Sequence, residues 1–144
     1  MSIELILKRQ RTLWGLAVFL IMICIDQLAK NSAVHAYKNY YFAFSLPLDV
    51  YVMYGIYFMG IAALSAYVFK QYQNLSAVDF FAWVMILAGA ASNVAERIVL
   101  GYVRDWIYIR NGVFNFADGY IILGIVILLL NPLMTKTTKM TKLT

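Results

Sequence analysis

Long apolar runs alternate with short polar segments along the chain. Four runs approach the roughly 20 apolar residues that an α-helix needs to cross a bilayer core about 30 Å thick. They cover about residues 13–30, 50–69, 80–100 and 114–130. The pattern predicts an all-α membrane protein with four transmembrane helices, and the length of 144 residues indicates a single domain over residues 1–144.

The composition agrees with a lipid environment. Hydrophobic residues make up 63% of the chain and charged residues 13%, against about 45–50% and about 25% in soluble domains. These values exclude a disordered chain and an ordinary soluble enzyme. The net charge is +5, but the basic residues lie between the apolar runs instead of along one face, so we expect no nucleic-acid partner.

The positions of the basic residues predict the topology. Lysine and arginine are more frequent in the N-terminal segment, the loop after the second run and the C-terminal tail than in the other two loops. The positive-inside rule then places both termini in the cytoplasm and the loops 31–49 and 101–113 outside. In the inner loop, Ser76 and Asp79 are suited to cap the third helix. In the first outer loop, residues 42–45 are a candidate short strand.

Polar side chains occur where the apolar runs end or begin. An ionisable group at membrane depth costs at least about 2.5–3.5 kcal/mol, so each one marks a candidate functional position. Because successive spans cross the membrane in opposite directions, these side chains are expected to meet in the outer leaflet. They are Asp26 and Lys30 in the first run, Asn93, Glu96 and Arg97 in the third, Asp105 just beyond it, and Asn115 and Asp118 at the start of the fourth.

Asp105 and Asp118 are separated by a short loop with a turn at 111–112, which can bring the two carboxylates within a few ångströms. Two carboxylates that close share a proton. The ionised one can activate a water and the protonated one can protonate a leaving amine, which is peptide hydrolysis without a metal. With Cys24 the single cysteine and His35 the single histidine, we expect no metal site and no cofactor.

Five blocks, taken in order, resemble one protein family. They are DQLAK (26–30), NYYFAFS (39–45), GAASNVAER (89–97), GYVRDW (101–106) and FNFAD (114–118). Together they resemble the lipoprotein signal peptidases, or signal peptidases II, which are four-helix aspartyl proteases of the bacterial inner membrane. The resemblance covers nearly the whole chain. It implies a small β-sheet cradle formed by the outer loops.

The resemblance also implies roles for individual residues. Asp105 and Asp118 match the catalytic aspartates of the family. The positions that match its polar, site-shaping residues are Asp26, Lys30, Asn39, Asn93, Arg97 and Asn115. The implied substrate is a prolipoprotein that carries a diacylglyceryl group on a cysteine and is cleaved just before that cysteine, at the outer leaflet. Membrane lipids and globomycin-type inhibitors are the other expected ligands, and a monomer is the expected state.

The chain departs from the family pattern at several positions. Glu96 stands where the family has aspartate, and its extra methylene is expected to displace the carboxylate. Tyr41 and Ser92 replace glycines, and Tyr41 would be strained where the backbone needs a positive φ. Gly119 replaces a serine, and the first outer loop is short. These departures leave a second function open, a catalytically weakened relative that binds lipidated peptides or serves as a partner subunit.

Simpler interpretations of the same residues also remain open. Asp26 and Lys30 can be an i,i+4 ion pair, and Arg97 can reach the interface or neutralise Glu96. Asp105 can pair with a nearby arginine, Arg104 or Arg110, and Asp118 can interact with a helix dipole. A third function, a proton conductor that uses the acidic residues, is disfavoured because they are confined to one leaflet.

Overall fold

The structure, a computed structural model, describes residues 3–41, 48–110 and 112–141. Its helices confirm the predicted helical membrane fold; they are α1 (Ile3–Ser32), α2 (Val50–Gln71), α3 (Ala77–Leu100) and α4 (Phe116–Thr141). Four three-residue strands lie in the connections: β1 (Tyr37–Asn39), β2 (Val103–Asp105), β3 (Ile107–Ile109) and β4 (Gly112–Phe114). The candidate strand at 42–45 falls outside the described residues.

The helix bounds differ from the predicted spans. α1 begins well before residue 13, and α4 begins at Phe116 because Phe114 belongs to β4. Within the described residues, three helices are long and apolar enough to cross a membrane, at 6–32, 50–71 and 77–100, while the apolar part of α4, Phe116–Asn131, is shorter. Large apolar side chains such as Met59 and Phe69 are 75% and 86% exposed, which is typical of a surface that faces lipid.

α3 is the central helix of the bundle and packs against the three others. Small residues permit its close contact with α4. A Cβ atom at Gly124 would lie 2.6 Å from the carbonyl oxygen of Ala82, and one at Gly89 would collide with the carbonyl oxygen of Ala117. The small residues at Gly89 and Gly124 therefore allow the two helices to approach closely.

The ends of α3 direct the chain toward the outer loops. At its start, Ser76 accepts a hydrogen bond from the backbone N–H of Asp79 at 3.0 Å, which confirms the predicted cap. At its end, Gly101 adopts a left-handed conformation with φ 82° and donates its N–H to the carbonyl of Arg97. Because glycine adopts positive φ without strain, the chain turns sharply there and returns as β2 beside the end of α3.

Two small antiparallel sheets cover this end of the bundle. β1 pairs with β2, with Tyr37 opposite Asp105, so the first outer loop is joined to the segment after α3. β3 and β4 form a hairpin with Ile107 opposite Phe114. The predicted β-structure in the outer loops is therefore present, and Asp105 lies in a strand instead of a loop.

Candidate active site

The predicted site residues meet at the end of the bundle that the two sheets cover. They come from α1, β1, α3, β2 and the start of α4, and nearly all are buried. The exposed fractions are 0% for Asp26, 1% for Lys30, 8% for Asn93, 5% for Arg97, 2% for Asp105 and 1% for Asn115. Polar side chains buried to this extent need hydrogen-bonding partners.

Asn115 contacts both aspartates. Its side-chain amide donates to Oδ1 of Asp105 at 2.6 Å. Its backbone N–H donates to Oδ2 of Asp118 at 3.1 Å, and its Oδ1 accepts from the backbone N–H of Asp118 at 2.9 Å. The last two bonds are the reciprocal pair of a capping box, formed here by an asparagine and an aspartate three residues later. Local contacts at the start of α4 therefore hold one oxygen of Asp118 and its backbone N–H.

Asp105 is held by two amides. Its Oδ2 accepts from the side-chain nitrogen of Asn39 at 2.9 Å, and its Oδ1 accepts from Asn115. Burial raises the pKa of Asp105 above its usual value; the two hydrogen bonds lower it by less, and the charge of Asp118 raises it further. The alternative pairing with an arginine is wrong for Arg104, because that side chain contacts Glu96 instead.

Asn93 connects Asp118 with the buried lysine. Its side-chain nitrogen donates to Oδ1 of Asp118 at 2.9 Å, and its oxygen accepts from Nζ of Lys30 at 2.8 Å. The same oxygen accepts from Asn115 at 3.1 Å. Both oxygens of Asp118 thus have donors, and the orientation of the Asn93 amide is determined by its partners on either side.

A chain of alternating charges lies behind the two aspartates. Nζ of Lys30 is 2.7 Å from Oδ2 of Asp26 and 2.9 Å from Oε2 of Glu96. Oε1 of Glu96 is 2.5 Å from Nε of Arg104, and its Oε2 accepts the backbone N–H of Arg104 at 3.1 Å. The i,i+4 pair of Asp26 and Lys30 is confirmed. Glu96 reaches two cations and also holds the residue that precedes Asp105.

Asp26 joins α1 to two other helices. Its Oδ1 accepts the backbone N–H of Ala117 at 3.0 Å, and its Oδ2 accepts the hydroxyl of Ser92 at 2.6 Å. The N–H of Ala117 is in the first turn of α4, where backbone donors have no partner within the helix. Asp26 therefore stabilises the start of the helix that carries Asp118.

Arg97 is buried away from the acidic chain. Its Nη2 donates to the carbonyl of Tyr41 at 2.8 Å, and its guanidinium lies 5.1 Å from the ring of Tyr57. The interpretations in which Arg97 neutralises Glu96 or extends to the interface are therefore wrong. Tyr41 does not have a positive φ, since Arg110 is the one non-glycine residue with that conformation in the described part of the chain. The strain expected at Tyr41 is absent.

Sequence reasoning missed several members of this network. Arg104 donates to Oδ1 of Asn31 at 2.6 Å and to Oε1 of Gln27 at 3.4 Å. Gln27 in turn donates to the hydroxyl of Ser92 at 2.9 Å. One signal was available, because Gln27 and Asn31 are four residues apart and directly follow Asp26 and Lys30 on α1. The part played by Arg104 depends on the turn at 101 and had no local signal.

Comparisons with known proteins agree with this architecture. The family model described as signal peptidase (SPase) II matches residues 18–134. The lipoprotein signal peptidase of Sinorhizobium fredii is 34% identical over 121 residues, covering 77% of this chain and 71% of that protein. That of Psychromonas ingrahamii is 28% identical, covering 90% and 88%. A solved structure described as a bacterial membrane enzyme has a TM-score of 0.70 and 19% identity, covering 87% and 90%.

Proposed function

The chain belongs to the signal peptidase II family, and we propose that it is an aspartic endopeptidase of the bacterial inner membrane. Its substrates are prolipoproteins that carry a diacylglyceryl group on a cysteine. It cleaves the peptide bond just before that cysteine and releases the signal peptide. The catalytic residues are Asp105 and Asp118.

The observation that carries this proposal is the pair of bonds from Asn115 to Asp105 and Asp118. One asparagine bonds to both carboxylates, and the charge of Asp118 acts on Asp105. These contacts support a carboxylate pair that shares a proton. Asp105 is buried and Asp118 is half-buried, and Asp105 has a raised pKa because of its burial. A raised pKa favours the state in which one carboxylate is ionised and the other is protonated, which general acid–base catalysis requires.

The reaction follows from that state. The ionised carboxylate accepts a proton from a water molecule while the water oxygen bonds to the carbonyl carbon of the scissile peptide. The protonated carboxyl donates its proton to the carbonyl oxygen, giving a tetrahedral intermediate. On collapse the C–N bond breaks, the nitrogen takes the proton from the first carboxyl, and the second carboxylate recovers its proton from the intermediate. The pair ends as it began.

The surrounding polar residues would orient the pair and the substrate. Asn39 and Asn115 fix Asp105, and Asn93 fixes Asp118. Arg97 is 5% exposed and forms no ion pair within the described residues. A buried guanidinium without a carboxylate partner is suited to bind a substrate carbonyl and the negative charge that develops on it. Asp26 and Lys30 hold the helices in place.

The proposed topology brings this site to the lipid of the substrate. Both termini lie in the cytoplasm, the chain spans the membrane four times, and the sheets cover the outer ends of the helices. The site then lies at the outer leaflet, where the diacylglyceryl group and the scissile bond of a prolipoprotein also lie. A lipidated substrate enters sideways from the bilayer.

Cleavage of a diacylglyceryl-modified prolipoprotein by the purified protein in detergent tests the proposal. A gel shift follows signal-peptide release by the wild type and by the Asp105→Asn and Asp118→Asn variants. Asp79→Asn is the matched control, because Asp79 lies in the first turn of α3, at the opposite end of the bundle. We expect the wild type and the control to cleave the substrate, and a globomycin-type peptide to inhibit both. We expect no cleavage by the two site variants.

Two outcomes would contradict the proposal. Cleavage at an undiminished rate in either site variant would remove that aspartate from the mechanism. Binding of the lipidated substrate by the wild type without cleavage at any protein concentration would favour the alternative function, a family member that recognises lipidated peptides or acts as a partner subunit.

A further inference from the structure

A small apolar pocket opens beside Asp118. Its volume is about 200 Å³. The β3–β4 hairpin forms one wall with Ile107, Ile109 and Phe114, and the first turns of α4 form the other with Ile122. No contact described so far gives this pocket a function.

The size and lining of the pocket restrict what it can bind. Pockets for whole drug-sized ligands measure about 300–1,000 Å³, so this one is suited to a single group. Four apolar side chains favour an apolar group, because its burial removes hydrocarbon surface from water. A diacylglyceryl group, with two long acyl chains, is too large. A single apolar side chain of a peptide fits both restrictions.

The pocket is continuous with the catalytic pair. Asn115 and Asp118 belong to its lining as well as to the aspartate network. Consecutive Cα atoms of a peptide are 3.8 Å apart, so a scissile bond held at Asp118 brings the side chains of the next few residues to the pocket. The lipidated cysteine lies on one side of that bond, and its lipid does not fit. The nearest side chains that can enter the pocket are therefore those on the other side of the bond, in the signal peptide.

Gly119 gives the pocket its depth. It lines the pocket, and a Cβ atom built there has nothing within 4 Å. Its φ is not positive, so a larger residue is compatible with the helical backbone of α4. The Cβ atom of a larger residue at this position would therefore lie in open space. The residue most able to change the size of the pocket is thus directly beside Asp118.

We propose that this pocket binds one apolar side chain on the signal-peptide side of the scissile bond, and that Gly119 sets the size of side chain accepted. The inference rests on the proposed function. One methylene in an apolar pocket changes kcat/KM by about 10–200-fold. A valine at 119 adds three carbons, so it excludes the larger side chains and leaves alanine acceptable.

The test measures kcat/KM for a panel of lipid-modified prolipoproteins. Each of the three residues before the cysteine is changed in turn to alanine, valine, leucine and phenylalanine. The enzymes are the wild type, Gly119→Ala, Gly119→Val and the matched control Gly60→Val. Gly60 is an exposed glycine of α2 where a Cβ atom also meets nothing within 4 Å. Gly119→Ala provides the smaller step should the valine impair folding.

We expect one substrate position at which Gly119→Val lowers the leucine-to-alanine ratio of kcat/KM at least tenfold, with a smaller change for Gly119→Ala and none for Gly60→Val. An unchanged ratio at all three positions, with cleavage intact, would overturn the pocket assignment and leave the proposed function standing. Failure of the wild type to cleave every substrate would instead overturn the proposed function, and this inference with it.

Discussion

Replacing Lys30 by methionine tests the buried charge network behind the aspartates. Lys30 is 1% exposed, and its ammonium group contacts Asp26, Glu96 and Asn93 at 2.7, 2.9 and 2.8 Å. These three contacts use all three of its donors. Methionine retains most of the apolar side chain and removes the charge, so packing changes little while two buried carboxylates lose their shared cation.

The expected loss of stability is large. Removing one partner of a buried ion pair costs about 3–5 kcal/mol, because the remaining charge stays buried without compensation. In this variant Glu96 retains its ion pair with Arg104, and Asp26 still accepts hydrogen bonds from the hydroxyl of Ser92 and the N–H of Ala117. The expected loss of stability therefore stays within that range. At roughly 2–4 °C per kcal/mol for a chain near this size, Tm falls by roughly 6–20 °C.

Thermal unfolding in detergent, followed by the fluorescence of the three tryptophans, measures this change. Lys70→Met is the matched control, because Lys70 is exposed at the end of α2 and surface substitutions stay within about 0.5 kcal/mol. A double variant with Glu96→Gln provides a mutant cycle. Adjacent charges couple by about 0.5–3 kcal/mol, so the double variant loses less than the sum of the two single losses.

The result that would refute this reasoning is a Tm of Lys30→Met equal to that of Lys70→Met. It would mean that the two buried carboxylates need no counter-charge from Lys30. Additive losses in the mutant cycle would equally show that Lys30 and Glu96 do not interact, whatever their separation in the structure.

Three further predictions concern the aspartates and the helix packing. Asn39→Ala removes a hydrogen bond that lowers the pKa of Asp105, so we expect this pKa to rise further. The limb of the pH–rate profile that depends on Asp105 then moves to higher pH, and an unchanged profile would contradict this prediction. Asn115→Leu removes the amide that donates to Asp105 and the oxygen that accepts the N–H of Asp118. We expect initial rates to show a fall in kcat of about 10²–10³; a loss under tenfold would exclude a positioning role for this side chain. The valine of Gly89→Val collides with the carbonyl of Ala117, which lowers the free energy of unfolding by at least about 1–3 kcal/mol. We expect a lower Tm than for the control Gly55→Val, whose Cβ lies in open space. Equal Tm values would show that α3 and α4 move apart freely.

The sequence predicted the helices and much of the candidate site because both depend on local signals. A long apolar run has few alternatives to a membrane helix, and the spacing of Asn115 and Asp118 is that of a capping box. Polar residues such as Asn93 are conspicuous inside an apolar run. These signals need no knowledge of which helices are neighbours.

Other features depend on tertiary contacts and were not predictable in this way. Glu96 contacts Arg104 because the chain reverses at Gly101 and β2 returns beside α3. In the sequence Ser92 is noted only as the replacement of a glycine, whereas in the structure its hydroxyl donates to Asp26. The start of α4 at Phe116 depends on the β3–β4 hairpin, which no apolar pattern indicates.

The ionisable side chains of the candidate site, which are buried or half-buried, have a further consequence when their charges are counted together. Within the described network, Asp26, Glu96, Asp105 and Asp118 are acidic, and Lys30, Arg97 and Arg104 are basic. Four carboxylates and three cations leave one negative charge in excess, and a single bound proton makes the cluster electrically neutral. A low-dielectric bilayer opposes any net charge. In the proposed mechanism, the proton that the two aspartates share therefore also balances the charge of this cluster against the membrane.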